Sequence, residues 1–202
     1  MNQRLRVPPT RSVLLRLRKH RQTLLGAVEL LERKRRVLAQ KTFELLPQRQ
    51  NLHEQAYRQL GSAYRSYAMT RMRSTAEELR QIIGGMPPMI ELQTRREPLA
   101  GVVTYQVSTR PVPLRPRFGL LGSTAELDRA IVSLRDATDL LAQLAGMQAT
   151  LRSLTRALQK TNRQVRVLRD RVIPMHDATI HEIEDILDEQ ERAYLFQLKR
   201  IR

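Results

Sequence analysis

Leucine recurs every seven residues along the first part of the chain, which is the spacing of one seam position in a coiled coil. The repeat comprises Leu17, Leu24, Leu31, Leu38, Leu45 and Leu52. The companion positions are mixed, with apolar Leu14 and Val28 alternating with Arg21, Arg35 and Arg49. This pattern predicts that residues 1–83 form a long, basic helix with a narrow apolar seam, which needs a second helix as its partner.

The last part of the chain carries a second heptad pattern, over residues 124–202. One register comprises Leu127, Leu134 and Leu141. Another comprises Leu144, Leu151, Leu158, Val165, Val172, Thr179 and Ile186. The step of three residues between Leu141 and Leu144 is a stammer, which locally overwinds a coiled coil. We therefore predict a second long helix, with Ser123 or Thr124 as its N-cap.

Glycine and proline are frequent between the two helices, in an insert over residues 84–123. Two short runs of β-forming residues, "MIELQ" and "VVTYQV", predict a hairpin, with "TRREPLAG" as a loose loop between them. The insert turns the chain back, so the helices should pair antiparallel. The predicted fold is all-α with a small β-hairpin insert, in which the two long helices form a coiled coil.

Charge changes this picture, because the chain carries a formal net charge of +16 and a pI near 11.3. Residues 150–173 hold seven basic and one acidic residue, whereas residues 175–191 hold seven acidic and no basic ones. Residues 1–36 hold eleven basic and two acidic ones. In an antiparallel pair the acidic block lies beside this basic start, and we predict that the two pair by charge. The remaining positive charge implies acidic partners.

Catalytic chemistry finds little support in the sequence. The chain has no cysteine, and His176 and His181 are five residues apart, which places them on different faces of a helix. No phosphate-binding loop, dinucleotide fingerprint or nucleophile elbow is present. We predict a non-enzymatic protein with no catalytic, cofactor or metal site. No apolar run is long enough to cross a membrane, and no signal peptide is expected.

Motifs at both ends of the chain resemble those of the family of D subunits of rotary V/A-type ATPases. The matching elements are Pro9-Thr10-Arg11, Leu30-Leu31 with Lys34-Arg35, Thr161-Asn162 with Val165, Val172-Ile173-Pro174, and Asp188-Glu189 through Glu191-Arg192, Phe196, Leu198 and Lys199. Their order and number make the resemblance specific over about two thirds of the chain. The chain departs from the family in "RVRVLR", where Arg166 and Arg169 replace more neutral or acidic residues.

The resemblance implies a central-stalk axle that turns inside a ring of catalytic and non-catalytic subunits. It would couple ATP hydrolysis or synthesis in the ring to ion translocation through the membrane rotor. Its implied partners are the ring, the small F subunit of the central stalk and a socket subunit on the membrane rotor, with no nucleic acid and no membrane insertion. Its implied location is cytoplasmic and peripheral to the membrane. We expect the ring to contact Arg11, Lys34, Arg35, Arg156, Lys160, Arg163 and Arg166.

Two alternatives also fit a basic coiled coil. One is a free-standing nucleic-acid-binding protein, in which the basic residues of 150–173 would contact phosphates. The other is a scaffold protein that uses its long helix pair for assembly. Neither the coupling ion, proton or sodium, nor the direction of ATP turnover follows from the residues.

Overall fold

A computed structural model describes residues 5–84, 88, 90–112 and 125–201. Its helices are α1 (Arg11–Arg73), α2 (Ala76–Gly84), α3 (Ala125–Val167) and α4 (Ile173–Ile201), and its strands are β1 (Ile90–Leu99) and β2 (Val102–Pro111). A π-helical turn, Leu168–Val172, connects α3 directly to α4. The fold class predicted from the sequence, helical with one small hairpin, is confirmed.

The chain divides into two compact units, each containing parts of both long helical stretches. We call residues 1–37 with 157–202 the terminal unit, and residues 38–156 the central unit. Helix α1 begins after Thr10, whose Oγ1 accepts a hydrogen bond from the N–H of Val13 at 3.4 Å. Thr10 is therefore the N-cap of α1. The predicted caps of the second helix, Ser123 and Thr124, lie outside the described residues.

The helices of the terminal unit run antiparallel. Arg11 contacts Glu191, and Arg18 contacts Glu184, so a heptad forward on α1 matches a heptad backward on α4. Beside these pairs lies an apolar core of buried Leu14, Leu17, Ile180 and Ile183, with Leu5, Val13 and Leu187 packed around it. The predicted antiparallel seam is therefore present in this unit.

The π-helical turn shifts the seam by one residue. Pro174 has no N–H to donate to the carbonyl four residues earlier, and its ring would clash with that carbonyl in an α-helix. The widened turn avoids this conflict, with the N–H of Ile173 donating to the carbonyl of Leu168, five residues earlier. One extra residue is thereby inserted into the heptad repeat.

Past the turn, Thr179 of the predicted second register is buried as predicted, at 1% exposure, but the next position is not. Continuing the heptad from Val165, which is 4% exposed, predicts a seam position at Ile186. Ile186 is instead 37% exposed, and Leu187 packs against the core in its place. The prediction at Ile186 was wrong because a seven-residue extrapolation assumes an uninterrupted α-helix.

In the central unit, the first helical stretch is divided at Ser74 and Thr75. Thr75 and Glu78 form a capping box, in which the N–H of Glu78 donates to Thr75 Oγ1 at 3.4 Å and the N–H of Thr75 donates to Glu78 Oε2 at 2.9 Å. The predicted stretch is helical as expected. However, the capping sequence "STAEE" starts a new helix, so the last part of the stretch forms the separate helix α2. Pro47 does not interrupt α1.

The seam of the central unit is built partly from small side chains. On α1, Ala56, Ala63 and Thr70 continue the register of Leu14 and are each 0% exposed. On α3, Ala130 and Ala137 continue the register of Leu144 towards the N-terminus and are each 1% exposed. A separate cluster at the end of this unit combines Leu79, Ile82, Leu127 and Ile131.

The hairpin is longer and tighter than predicted. Its strands pair from Ile90 with Pro111 to Leu99 with Val102, so most of the expected loop belongs to β1. The turn consists of Ala100 and Gly101, with φ values of 49° and 74°. Positive φ at both central residues is the requirement of a type I′ turn, whose twist matches the strands. The loose-loop prediction was wrong because Ala100 adopts a conformation that alanine rarely takes.

Candidate partner-binding surfaces

Ion pairs flank the apolar core of the terminal unit along its length. They join Arg11 to Glu191, Arg18 to Glu184, Arg21 to Asp177 and Arg169 to Glu32. The Arg18–Glu184 pair has an N–O distance of 2.6 Å. The predicted pairing between the acidic block and the basic start of the first helix is confirmed by three of these contacts. The fourth explains Arg169, a departure from the family pattern, because its guanidinium has a carboxylate partner on α1.

Three of the residues expected to contact the ring lie together in the terminal unit. Lys160, Arg163 and Arg166 follow each other at three-residue steps on α3, which places them on one side of the helix. All three are exposed, whereas Val165 is buried. No ion pair to these three side chains occurs within the described residues. They form an exposed basic face, which we call the α3 basic face.

The other predicted contact residues have different surroundings. Lys34 and Arg35 are half-buried, and the Glu32–Arg169 pair places them at the level of the α3 basic face. Arg11 lies about 35 Å further along α1, from a rise of 1.5 Å per residue, and contacts Glu191. Arg156 is exposed and belongs to the central unit. The six residues of the terminal unit therefore do not form a single patch.

Large apolar side chains are exposed at several places in the described part of the chain, and two of these form groups. Near the end of α4, Tyr194, Leu195, Phe196 and Leu198 are all exposed, Phe196 at 73%. On α1 in the central unit, Phe43, Leu46, Tyr57 and Tyr64 are exposed, Phe43 at 72%. We consider these two groups as candidate surfaces for partner binding. In the sequence, the signal was apolar residues lying off the seam positions.

The hairpin docks on α3 through its second strand. The Thr150 hydroxyl accepts a hydrogen bond from the N–H of Tyr105 at 2.8 Å and donates one to the carbonyl of the same residue at 2.9 Å. The Thr109 hydroxyl donates to Asp139. Val107 lies against Gly146, where an added methyl group would be only 2.5 Å from Val107 Cγ2. Gly146 is thus required for the strand to approach the helix this closely.

A cleft of about 550 Å³ lies beside the docked hairpin in the central unit. Its walls are Lys41, Leu45, Leu52, Glu97, Pro98, Leu99, Thr104, Tyr105, Gln106, Val107, Gln143, Met147 and Thr150. These walls combine polar and apolar groups, without a convergent set of acids, bases or nucleophiles. The cleft separates the turn end of the hairpin from α1.

Titratable groups with unusual environments are few in the described part of the chain. The pKa of Glu44 is lowered by a hydrogen bond from the Lys41 ammonium and, second, by one from the Gln40 amide. His176 is buried at 5% exposure, stacks edge-on against His20 and contacts the carbonyl of Val172. No three His, Cys, Asp or Glu side chains among the described residues are placed to hold a metal ion.

Antiparallel helix pairing in both units, with a hairpin docked on one helix, defines a coiled-coil protein. Its exposed features are basic and apolar helix faces, as expected of a protein that binds other macromolecules.

Comparison with known proteins identifies the family. The family model for the ATP synthase D subunit matches residues 13–202, so the chain belongs to the family of ATP synthase D subunits. The D subunit of the V-type ATP synthase of Thermotoga neapolitana is 28% identical over 97% of this chain and 97% of its own length. The D subunit of the A-type ATP synthase of Pyrococcus furiosus is 26% identical over 98% of this chain and 94% of its own.

A third relative, the D subunit of the A-type ATP synthase of Methanopyrus kandleri, is 29% identical over 97% of this chain and 85% of its own. The resemblance found in the terminal motifs is therefore confirmed over nearly the whole chain. Within the described residues, no helix combines the length and apolar character that crossing a bilayer requires.

Proposed function

We propose that the chain is a non-catalytic rotor component of a V/A-type ATP synthase, located in its central stalk. It turns inside the ring of catalytic and non-catalytic subunits and couples ATP hydrolysis or synthesis there to ion translocation through the membrane rotor. Its membership of the family of ATP synthase D subunits carries this proposal. The same membership favours it over a free-standing nucleic-acid-binding or scaffold protein.

The pairing in the terminal unit suits a part that transmits torque. Sliding of one helix along the other would separate Leu14 and Leu17 from Ile180 and Ile183, and would expose their apolar surface. The same displacement would break the flanking ion pairs, which match only in one register. The apolar contacts and the ion pairs both resist slippage of one helix along the other. A torque applied at one end of this unit is therefore transmitted to its other end.

The α3 basic face, together with Arg11, Lys34, Arg35 and Arg156, is the proposed contact with the ring. Long charged side chains in water make weak, salt-sensitive contacts, which allow a rotor to move past successive ring subunits without binding any of them tightly. The further proposed partners are the small F subunit of the central stalk and the socket subunit of the membrane rotor. In this assembly the chain is cytoplasmic and peripheral to the membrane.

A rotation assay tests the proposal directly. The ring subunits would be fixed to a surface, and a bead would be attached to the full chain through a cysteine introduced at exposed Arg71. We expect ATP-dependent, unidirectional rotation of the bead. A bead that stays still while the same complexes hydrolyse ATP would refute the axle role and leave the family membership intact.

The ring contact is tested by removing charge from the α3 basic face. The triple variant Lys160→Gln, Arg163→Gln, Arg166→Gln should weaken assembly with the ring, and the loss should shrink as salt is raised. The matched control is Arg58→Gln, Arg65→Gln, Arg71→Gln, which removes three exposed charges from α1 in the central unit. Equal losses in both variants would show that net charge, rather than this face, supports the assembly.

A further inference from the structure

The seam of the terminal unit contains one additional residue at the π-helical turn. An uninterrupted heptad that includes Val165 would continue at Met175, Thr179, Glu182 and Ile186. The seam continues instead at buried His176, Ile180 and Ile183 and at core-packed Leu187, each one position later. Thr179 is also buried, but its hydroxyl accepts a hydrogen bond from the N–H of Leu5, which precedes α1. The turn therefore takes up one residue, and the seams on its two sides each keep a regular spacing.

Packing between the two helices is thin around this turn. None of residues 166–175 is buried, whereas a heptad seam buries a residue about every three or four positions. On α1, none of residues 29–37 is buried. The ion pair between Arg169 and Glu32 joins these two stretches, so they face each other. The apolar contact that resists relative motion elsewhere in the unit is therefore reduced here.

Each helix also has a weak point in its backbone along this stretch. Pro174 has no N–H and interrupts the hydrogen-bond ladder of its helix. On α1, Gly26 has a low helix propensity, and a methyl group added there would contact nothing within 4 Å. The inter-helix ion pairs of Arg21 and Arg169 bracket both positions. The two weak points therefore lie in the same stretch of the helix pair.

Packing gives no reason for the additional residue. With one residue fewer between Val165 and His176, a single α-helix would carry both seams in one heptad phase. That helix would need no wide turn if another residue replaced Pro174. The chain thus has an inserted residue, a proline and a facing glycine where an uninterrupted pair of helices is possible. All three features make this stretch less rigid.

We propose that residues 22–31 of α1 and residues 168–176 of the facing helices form a torsional joint, at which the two ends of the terminal unit turn elastically relative to each other. The joint lies between the two levels of the proposed ring contacts, Arg11 at one end and the α3 basic face at the other. An elastic joint still transmits torque, but it lets one level of contact advance before the other. The inference rests on the proposed axle role for these contacts, whereas the flexibility is a property of the free chain.

Pulsed electron paramagnetic resonance on the free, full chain measures this flexibility. The chain has no cysteine, so nitroxide labels can be attached to cysteines introduced at exposed Arg33 and Asp185, on opposite sides of the joint. Deletion of Asp170 together with Pro174→Ala restores an uninterrupted seam and should narrow the distribution of label–label distances about twofold. The matched control, Asp170→Asn with Pro174→Ala, has the same charge but keeps the additional residue. Its distribution should stay close to that of the unaltered chain.

Gly26→Ala is a second variant, and its added methyl group meets no neighbouring atom. It should narrow the distribution by a smaller factor, because alanine favours the helical state of α1. Equal widths in the unaltered chain, the deletion variant and Gly26→Ala would show that this segment is not a joint. If circular dichroism shows that the deletion variant is unfolded, the comparison with Gly26→Ala decides alone.

The same labels test the role of the joint in the chain assembled with the ring and frozen during ATP turnover. The distance distribution should broaden, or divide into more than one distance, relative to the complex without nucleotide, and the deletion variant should show no such change. Unchanged distances in complexes whose bead rotates would leave the axle role intact and refute the joint. A still bead would refute the axle role, while the widths measured on the free chain would still decide whether the segment is flexible.

Discussion

The terminal and central units both pair α1 with an antiparallel helix, but they fill parts of the seam with side chains of opposite size. The core of the terminal unit is made of leucine and isoleucine, flanked by ion pairs between the helices. Along α1 in the central unit, the fully buried seam residues begin with Leu38 and continue with the small side chains of Ala56, Ala63 and Thr70. There, among the described residues, Arg73–Glu126 is the ion pair that links α1 to α3.

This difference indicates how each unit fixes its register. Large side chains interlock, so their register is held by the apolar surface lost on slipping. Small side chains instead let helix backbones approach closely and leave no space for added atoms. The register indicated by Arg73–Glu126 places Ala63 within about one residue of the level of Ala137, small against small. Truncating a seam side chain should therefore lower stability most in the terminal unit, and enlarging one should lower it most in the central unit.

The largest effect is expected from Ile180→Ala in the terminal unit. Ile180 is 6% exposed within the apolar core, so its truncation should lower the free energy of unfolding by about 2–5 kcal/mol. Urea denaturation followed by circular dichroism measures this loss.

Ile186→Ala is the matched control, with the same chemistry six residues further along α4. Since Ile186 is 37% exposed, its loss should be about 1 kcal/mol or less. An uninterrupted heptad would place Ile186 in the seam instead of Ile180. A larger loss at Ile186 than at Ile180 would therefore contradict the register shift at the π-helical turn.

Ala63→Leu tests the central unit in the opposite direction. Ala63 is 0% exposed, and three added carbons have no space between the helices, so we expect a loss of about 1–3 kcal/mol. Ala68→Leu adds the same atoms at an exposed position of the same helix and should change stability by less than about 0.5 kcal/mol. Both are measured by urea denaturation, with hydrogen exchange to show which unit loosens. Equal stability of the two variants would mean that the small-residue seam is not tightly packed.

The long helices and their antiparallel pairing were predictable because a seven-residue repeat is a property of the sequence itself. The small-residue continuation of the seam was not, since Ala56 and Ala63 look like ordinary helix formers when only large apolar residues are counted. The register shift required knowing how the helix accommodates Pro174. A proline can kink a helix, end it or widen one turn, and the sequence alone does not choose among these.

For the candidate surfaces, the sequence predicted which charged segments would pair, but not which individual residues would form the ion pairs. The acidic block and the basic start of α1 were evident from counting, whereas Arg18 with Glu184 depends on the register and on side-chain rotamers. The tight turn of the hairpin was missed because Ala100-Gly101 lacks the Asn-Gly or Asp-Gly signal of type I′ turns. The docking of β2 depends on Gly146 and Thr150, which resemble ordinary helix residues in the sequence.

The smallest effect concerns the ion pairs that distinguish the terminal unit. Arg18→Glu should bring two carboxylates together and lower stability, and Arg18→Glu with Glu184→Arg should restore most of the loss. A double-mutant cycle should give a coupling of about 0.2–1 kcal/mol, reduced at high salt, because both side chains are partly exposed.

The ion pair between Lys41 and Glu44, which lie on the same helix, serves as the comparison. Because the pKa of Glu44 is lowered, its contribution should be lost as pH falls through that lowered value. If the Arg18–Glu184 coupling does not exceed the Lys41–Glu44 coupling at neutral pH, the ion pairs accompany the register of the terminal unit without helping to fix it.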